Sequence, residues 1–274
     1  MPASDAFRNT RAGILFIGDV IGRPGRNALA KALPDLVKKH KPTIVIANGE
    51  NAAGGAGITE EIGKDLFAVV DVLTSGNHVW DKKEALDYLD KEPRLLRPAN
   101  YPPGNPGRGA AVVTDAGGVK VGVLNLQGRV FMEAIDCPFR TADAEVEKLR
   151  RETPVIIVDL HAEATSEKQA LGWHLDGRVS AVVGTHTHVP TADERILPGG
   201  TAFITDVGMA GARNTVIGIK REPALQKFLT GRPHRFEPEK GGLFLSAVFI
   251  EVDAATGRAL SIVREVITED EEKE

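Results

Sequence analysis

The 274-residue sequence predicts an α/β fold in which two mixed β-sheets pack face to face and helices cover their outer sides. In the first half of the chain, short apolar runs alternate with segments of helical periodicity. In the last third, apolar and β-branched segments follow one another instead. Alternation of strand and helix followed by paired strands is typical of two packed sheets with helices outside.

The elements of the first half follow from their apolar patterns. Residues 27–39 are predicted to form a helix because Ala28, Ala32 and Leu36 lie on one helical face. Two more helices are expected, one from about Thr59 and one at 82–89. The strands predicted in this half are residues 13–18, 43–47 and 70–74.

Strands predominate in the second half, which begins after a loop rich in proline and glycine at 97–109. A helix is predicted at 142–151, and the whole chain, 1–274, is expected to form one domain. Its last residues, 268–274, are predicted to be a disordered acidic tail. The strands predicted in this half are residues 110–114, 120–126, 155–160, 179–184, 202–205, 243–252 and 259–267.

The composition limits the classes of function. Hydrophobic residues make up 42% of the chain and charged residues 26%, which suits a sizeable core under a solvated surface. The net charge of -4 argues against a stable complex with nucleic acid. A single cysteine, Cys137, excludes an intramolecular disulfide and fits a reducing compartment. No apolar run is long enough for a signal peptide or a membrane span, so a cytoplasmic location is predicted.

Polar side chains that can bind a metal come directly after five of the predicted strands. Because the carboxyl ends of neighbouring strands meet at one edge of a sheet, residues distant in sequence are expected to converge there. The glycines that precede these side chains predict tight turns beside the site. The residues are Asp19, Glu50, Asn51, Asn77, His78, His161, His186 and His188.

The donor types indicate which metals would bind. Imidazole, carboxylate and amide groups suit a borderline or hard divalent cation, and the absence of thiolates disfavours structural zinc. Eight donor residues exceed one tetrahedral ion but suit two ions about 3.5–4 Å apart. Two cations per chain are therefore predicted, iron or manganese before zinc or magnesium.

Each residue taken alone has a plainer interpretation. Asp19 or Asn51 could cap a helix, His78 could be a hydrogen-bonded structural histidine, and Glu50 could be a solvated loop residue. Five such coincidences at equivalent positions favour a metal site over these alternatives.

The motifs resemble a known family. The order GD, GEN, GNH, a lone histidine and GTHTH looks like the calcineurin-like metallophosphoesterase superfamily. The longer words GDVIGRPGR, ANGENAAGGAGIT, SGNHVWD, RPANYPPG, HAEATSEK and GTHTHVPTAD are similar to its YmdB-like branch, and the likeness runs from about Ile14 to Gly218. This resemblance implies a four-layer metallophosphoesterase-like sandwich and a cytoplasmic, homo-oligomeric enzyme that hydrolyses small cyclic nucleotides such as 2′,3′-cyclic AMP.

Two positions depart from the general superfamily. Its common Asp-x-His opening reads Asp19-Val20-Ile21 here, and Glu50 replaces the usual bridging aspartate. Within the YmdB-like branch both departures are expected, and Asn51 stands in for the lost imidazole. Because an amide oxygen is a weaker donor than imidazole, the identity of the metal and its affinity stay open.

The resemblance also implies a role for each donor. His78 is not a ligand but the general acid, while a metal-bound hydroxide attacks phosphorus. Asp81 is the nearest acid that could orient His78, with a helix N-cap as the alternative. The implied ligands are Asp19, Glu50, Asn51 and His188 for one metal and Glu50, Asn77, His161 and His186 for the second, with Glu50 bridging.

Neighbouring residues leave alternatives open. Asp159 shares a strand face with His161 and could support it, or it could be a satisfied core residue. Four further residues are ambiguous, and no substrate-binding residue is assigned from them. Arg23 and Arg26 could bind phosphate or be surface arginines, and Asn100 with Tyr101 could form a substrate rim or only a turn.

Three functions remain in competition. The first is phosphodiesterase activity on a small cyclic nucleotide, and the second is a broad phosphomonoesterase or nuclease on the same metal core. The third is a regulator that binds metal or nucleotide without catalysis. A histidine in the position of a general acid argues against the third, because binding alone needs no acid.

Overall fold

The structure, a computed structural model, describes residues 11–269, and over this range two six-stranded sheets pack against each other. Helices cover the outer side of each sheet, which confirms the predicted four-layer α/β sandwich. The strands in chain order are β1 (Arg11–Val20), β2 (Ile44–Asn48), β3 (Val72–Thr74), β4 (Ala110–Thr114), β5 (Lys120–Gln127), β6 (Ile156–His161), β7 (Ala181–Thr185), β8 (Arg195–Ile196), β9 (Ala202–Ile204), β10 (Met209–Gly211), β11 (Leu243–Asp253) and β12 (Ala259–Glu269).

The helices described over the same range connect these strands, and none of them is long and apolar enough to cross a membrane. They are α1 (Gly22–His40), α2 (Glu60–Phe67), α3 (Lys83–Lys91), α4 (Pro138–Leu149), α5 (Thr165–Leu175) and α6 (Arg221–Thr230), with a 3-10 helix at Asn77–Trp80.

Both sheets are mixed, and their parallel strands carry the site. Sheet 1 has the order β12-β11-β10-β1-β2-β3, in which β10, β1, β2 and β3 run parallel. Sheet 2 has the order β4-β5-β6-β7-β9-β8, with an antiparallel strand at each end of a parallel centre. The carboxyl ends of β1, β2, β6 and β7 meet at one edge of the sandwich, where their side chains are in contact.

Three apolar layers hold the sandwich together. Ile14 and Phe16 of β1 pack between the sheets with Ile157 of β6, whereas Leu15 and Ile17 pack under the helices of sheet 1. Successive side chains of a strand point to opposite faces, so β1 is buried on both. This double burial explains why β1 reads as an unbroken apolar run in the sequence.

One connection is bonded to both sheets. The chain crosses from β9 in sheet 2 to β10 in sheet 1 through residues 205–208. The Val207 amide donates to the carbonyl of Gly184 in β7 at 2.8 Å, and the Asp19 amide of β1 donates to the carbonyl of Gly208 at 3.0 Å. Residues 205–208 therefore join the two sheets at the edge that carries the site.

Helix α1 begins earlier than the sequence predicted. It starts at Gly22 rather than at Asn27, although the segment before Asn27 reads as a turn because it contains Gly22, Pro24 and Gly25. Proline is tolerated in the first turn, where its missing N–H has no helical partner. Gly25 lies so close to β10 that a Cβ would be 2.4 Å from the carbonyl oxygen of Ala210. These residues bring the helix against the sheet.

Two helices were not predicted, and their patterns explain why. In α5 the charged residues Glu167 and Lys168 are buried, so the inner face carries no clear apolar stripe. Helix α6 buries little and leaves Phe228 and Leu229 exposed. The short strands β8 and β10 have only two and three residues, which is too few for a visible alternation.

The predicted acidic tail is only partly described. Thr268 and Glu269 belong to β12, which corrects the expected boundary at 268, because Glu269 pairs with Leu243 and Thr268 with Phe244 of β11. The rest of the predicted tail, 270–274, lies outside the described residues.

Candidate metal centre

Five strands bring the predicted site residues to one edge of the sandwich. Asp19 of β1 lies in register with Asn48 of β2, and His161 of β6 with Thr185 of β7. The other predicted residues come just after strands. Glu50 and Asn51 follow β2, Asn77 and His78 lie in the 3-10 helix after β3, and His186 and His188 follow β7.

Four of these residues converge on one point. Nε2 of His161 lies 3.0 Å from Oε1 of Glu50, 3.1 Å from Oδ1 of Asn77 and 2.9 Å from Nδ1 of His186. Ligand atoms at about 2.1 Å from one cation lie roughly 3 Å apart. Glu50, His161 and His186 therefore form a group that could hold a metal ion, with the amide oxygen of Asn77 beside it.

Three more residues form a second group on the other side of Glu50. Nδ2 of Asn51 lies 3.2 Å from Oε1 of Glu50 and 3.3 Å from Nε2 of His188, and Oδ1 of Asp19 lies 3.8 Å from the same nitrogen of His188. A half-turn of the Asn51 amide exchanges its nitrogen and oxygen, so this side chain can present an oxygen at the same place. Oε1 of Glu50 faces both groups.

Asp19 carries a buried oxygen that suits a cation. Its Oδ2 accepts from the His186 amide at 3.1 Å, whereas its Oδ1 is buried and accepts no hydrogen bond within the described range. Burial raises the pKa of Asp19. A buried carboxylate oxygen without a donor is destabilising unless a positive charge compensates it. The donor set around Asp19 thus fits a divalent cation.

The second ring nitrogen of His161 is held by a chain of hydrogen bonds. Nδ1 lies 3.0 Å from Oγ1 of Thr185, and that hydroxyl donates to Oδ1 of Asp159 at 2.8 Å. Because the hydroxyl has one proton, it accepts from the Nδ1–H group, which leaves Nε2 to face Glu50. Asn48, which the sequence analysis missed, is 3.4 Å from both Asp159 and Nδ1 of His161. Asp159 is therefore linked to His161 through the Thr185 hydroxyl.

The pKa values of Glu50, His161 and His186 are shifted by burial and by one another's charges. Burial alone would raise the pKa of Glu50, but His161 outweighs it and lowers the value to about 2. Burial would lower the pKa of His161, but Glu50 and Asp19 raise it to about 9. Burial, with the charge of His161, lowers the pKa of His186 to about 3. His186 is therefore neutral at pH 7 and can offer a lone pair.

The glycines near the site serve close packing rather than left-handed turns. A Cβ on Gly76 would lie 2.0 Å from the ring of His161, and one on Gly184 would lie 1.8 Å from the carbonyl oxygen of Thr205. Gly18, Gly49, Gly76 and Gly184 all have φ outside the left-handed region. The predicted turns are present after Gly49 and Gly76, where the amides of Ala52 and Val79 donate to the glycine carbonyls, but Gly18 and Gly184 lie within strands and only allow close approach.

The chain turns through the His-Thr-His segment. His186 has a φ of 99° and His188 a φ of 63°, so the two imidazoles point to different groups, one toward His161 and one toward Asn51. An extended His-Thr-His segment would place both imidazoles on one face, whereas the turned segment present here separates them.

An ion pair holds this turn. Oδ2 of Asp206 accepts from both the amide and the hydroxyl of Thr187, at 3.2 and 2.8 Å, and from Nζ of Lys168 at 2.6 Å. Asp206 and Lys168 are almost completely buried. Neither residue was predicted from the sequence, although Asp206 follows a predicted strand as the other site residues do.

His78 lies at the rim beside an acid. Its Nδ1 lies 2.8 Å from Oδ2 of Asp81, and its amide donates to Oε2 of Glu50 at 3.0 Å. The N-cap of α3 is Lys82 and has no side-chain cap, so the capping alternative for Asp81 is wrong. Glu163, which the sequence analysis also missed, has Oε2 3.2 Å from Nε2 of His186.

The four residues considered for phosphate or substrate binding make other contacts or lie elsewhere. Arg26 donates to the carbonyl of Ala52, and Arg23 lines a different cavity. The Asn100 amide is buried and bridges two backbone carbonyls, and the Tyr101 hydroxyl donates to the Gln127 side chain at 3.1 Å. None of the four predicted candidates lines the cleft over the metal groups.

A cleft of about 450 Å³ opens over the two groups. A volume in this range suits one small ligand. It is polar at the floor and apolar along part of its wall. The polar residues that line it include Glu50, Asn51, His78, Glu163, His186 and His188, and the apolar ones include Ile21, Ile217, Ile219, Phe236 and Pro238.

Solved structures share this architecture. A hypothetical protein from Thermus thermophilus superposes with a TM-score of 0.87 at 43% identity, covering 94% of this chain and 99% of that one. A structure described as a novel phosphatase from Mycoplasma pneumoniae has a TM-score of 0.89 at 37% identity, covering 95% of each chain.

Named relatives match at similar length. A protein of Bacillus subtilis named 2′,3′-cyclic-nucleotide 2′-phosphodiesterase is 52% identical over 258 residues, covering 94% of this chain and 97% of the relative. A putative phosphatase/phosphodiesterase of Mycoplasma genitalium is 37% identical over 270 residues, covering 95% and 94%. The family model described as YmdB-like protein matches residues 15–265, and the chain belongs to this YmdB-like family.

Proposed function

We propose that this protein is a metal-dependent phosphodiesterase that opens nucleoside 2′,3′-cyclic phosphates. The observation that carries the proposal is the convergence of six predicted donors on the two sides of Glu50, with His78 and Asp81 at the rim of the same cleft. The membership of the YmdB-like family and the names of the relatives, all phosphoric ester hydrolases, support it.

Two cations are proposed to bind at the two groups. Bound there, they supply positive charge to the phosphoryl oxygens and acidify the attacking water. Iron or manganese suits the mixture of nitrogen and oxygen donors best. The proposed ligands are Asp19, Glu50, Asn51 and His188 for one cation and Glu50, Asn77, His161 and His186 for the other.

His78 is proposed to protonate the leaving oxygen. Asp81 engages Nδ1 of His78, so Nε2 is the ring nitrogen left to face a ligand in the cleft. An alkoxide of ribose leaves poorly without a proton, and a general acid within hydrogen-bond reach supplies it. The name of the Bacillus relative specifies the 2′ ester. Cleavage there would protonate the 2′ oxygen and leave a nucleoside 3′-phosphate.

The charge and the size of the cleft favour a small diester over a polymer. A long RNA needs a basic track along its backbone, whereas the chain has a net charge of -4. A cleft of about 450 Å³ suits one nucleotide. A cytoplasmic location and a homo-oligomeric state remain predictions from the sequence. Phosphomonoesterase activity on the same metal core is the competing reaction.

One assay separates the two reactions, because their products differ. The metal-loaded protein is incubated in parallel with 2′,3′-cyclic AMP and with 3′-AMP, and both nucleotides and free phosphate are followed. A phosphodiesterase converts the cyclic substrate to 3′-AMP and releases little phosphate from either. Fast release of phosphate from 3′-AMP, with the cyclic substrate left intact, would show a phosphomonoesterase instead.

A further inference from the structure

The cleft over the metal groups has an apolar wall that no part of the proposed reaction uses. Ile217, Ile219, Phe236 and Pro238 line it beside His188. Ile217 is 44% exposed and Phe236 is 38% exposed, so both side chains are open to a ligand in the cleft. Such a wall cannot bind a cation or a phosphate, so its chemistry points to another part of a ligand.

A tight turn presents Ile217 to the cleft. Val216 and Ile219 exchange backbone hydrogen bonds of 3.2 and 3.0 Å, with Ile217 and Gly218 between them. Both central residues have positive φ, 50° and 91°. A turn of this kind favours asparagine followed by glycine, and a β-branched residue at its first position is an outlier.

Ile217 has a backbone conformation that isoleucine disfavours, and it lies beside His188. Its carbonyl oxygen accepts from Nδ1 of His188 at 2.8 Å, while its side chain is exposed in the cleft. The backbone bond needs no isoleucine, since asparagine or glycine would supply the same carbonyl with less strain. Unfavourable backbone conformations collect at ligand sites, where the surroundings hold them. The isoleucine side chain is therefore expected to serve binding.

A second segment completes the wall. The amide of Lys220 donates to the carbonyl of Glu237 at 3.0 Å, and the amide of Glu239 donates to the carbonyl of Gly218 at 3.1 Å. These bonds fix residues 236–238 next to the turn. Nζ of Lys227 lies 5.0 Å from the centre of the Phe236 ring. An ammonium group thus lies over the ring of Phe236.

We infer that this wall binds the base of a nucleotide whose phosphate lies at the metal groups, an inference that rests on the proposed function. One imidazole ring connects the two surfaces, because Nε2 of His188 faces Asn51 and its Nδ1 bonds to Ile217. A nucleotide has the matching shape, a phosphate joined through one ribose to a flat base whose faces are apolar. Phe236 and Ile217 offer that base an aromatic ring and an aliphatic edge to pack against.

The wall also sets the specificity. Its side chains Ile217, Ile219, Phe236 and Pro238 have no hydrogen-bond donor or acceptor to read the edge of a base. Binding therefore follows the area of the ring system. Purine nucleotides are expected to bind better than pyrimidine nucleotides, with little difference between adenine and guanine.

Calorimetric titration of the metal-loaded protein tests the wall without relying on turnover. The probes are 3′-AMP and inorganic phosphate, which share the phosphate but not the base. Phe236→Ala is expected to weaken binding of 3′-AMP by about 5- to 100-fold, the range for loss of one stacked base, and to leave phosphate binding unchanged. Ile217→Asn should act in the same direction, and asparagine suits the left-handed turn, so this variant keeps the fold.

A matched control and a kinetic measurement complete the test. Phe228→Ala removes a phenylalanine that is 81% exposed on α6, outside the cleft, and should change neither affinity. In turnover, Phe236→Ala should raise the KM for 2′,3′-cyclic AMP but not for glycerol 1,2-cyclic phosphate, which has no base.

Two results would overturn the inference. One is unchanged affinity for 3′-AMP in both cleft variants, and the other is an equal loss for 3′-AMP and phosphate, which would mean that the variants disturb the metal groups. Base-dependent binding in a protein that cleaves neither cyclic substrate would support the wall and contradict the proposed reaction.

Discussion

The donors that lie in strands and those that lie in the turn after β7 are held in different ways. Asp19 and His161 belong to central strands, are completely buried and have ordinary backbone conformations. His186 and His188 follow a strand, are partly exposed and have positive φ. The sheets therefore fix one half of the centre through hydrogen-bonded pairing, and the other half needs support from outside its own backbone.

That support offsets the cost of the positive φ angles of His186 and His188. A left-handed conformation costs a residue with a Cβ about 1–2 kcal/mol, and it persists only where neighbours hold it. The neighbours here are Asp206, which accepts two bonds from Thr187, and Lys168, which pairs with Asp206. A buried ion pair thus holds the backbone of the turn in place, as strand pairing holds Asp19 and His161 in place.

The largest effect is expected from the residue that both halves share. Glu50→Ala removes the carboxylate that faces both groups, so metal content should fall from about two ions per chain to near zero, with no detectable turnover. Elemental analysis after reconstitution measures the content. Glu61→Ala, a change of an exposed glutamate on α2, is the control. Full activity of the wild-type protein with a single ion would contradict the two-metal proposal.

A smaller effect is expected from His78, which belongs to neither half. His78→Ala should keep the metal content and lose about 10²–10⁴-fold in turnover of 2′,3′-cyclic AMP, the usual scale of general acid catalysis. The loss on a bis-nitrophenyl phosphate should be smaller, because nitrophenolate leaves without a proton. Asp81→Asn should lose less than His78→Ala.

The chain offers a matched control for this pair. Nε2 of His174 lies 2.9 Å from Oδ1 of Asp143, an exposed histidine–aspartate contact outside the cleft. His174→Ala should leave turnover unchanged. If His78→Ala lost metal as Glu50→Ala does, His78 would be a ligand and the role of acid would need another residue.

The smallest effect on activity is expected from Lys168, whose ion pair with Asp206 supports the turn after β7. Lys168→Met leaves the Asp206 carboxylate buried without its cation, so the free energy of unfolding should fall by about 3–5 kcal/mol. A loosened turn should lower metal affinity by about 10- to 100-fold while two ions still bind at saturation. Denaturant titration and metal titration measure the two effects.

An exposed ion pair provides the comparison. Nζ of Lys148 lies 2.7 Å from Glu145 on α4, and Lys148→Met should change the unfolding free energy by about 1 kcal/mol or less. Unchanged metal affinity in Lys168→Met would mean that the turn is held by other contacts.

The same contrast explains what the sequence could and could not predict. Asp19, His161 and the other strand-end donors were found because a buried strand that runs into a metal-binding side chain is a local pattern. Asp206 has this pattern too, after the strand predicted at 202–205, and was overlooked. Lys168 has no such signal, since a lysine in a helix is usually exposed and its burial depends on Asp206, which is 38 positions away.

The architecture was predicted where it depended on periodicity. Ten of the twelve described strands were located to within a few residues because they are apolar runs bounded by turn residues, whereas the short strands β8 and β10 were missed. Helix α5 was missed because its inner face carries Glu167 and Lys168, and the apolar wall was missed because Ile217 and Phe236 lie in loops. Loop positions become meaningful only once tertiary contacts place them beside a site.

The connection at 205–208 has a consequence for the order of events during folding. It bonds to β7 through Val207 and to β1 through Asp19, and the amide that bonds to the Asp19 carboxylate, that of His186, is 167 positions further along the chain. Forming a contact at such separation requires the closure of a long loop, which costs conformational entropy. A nascent chain thus has no complete set of donors until its two sheets have docked. A cation that bound at the proposed centre would stabilise the docked sheets by mass action.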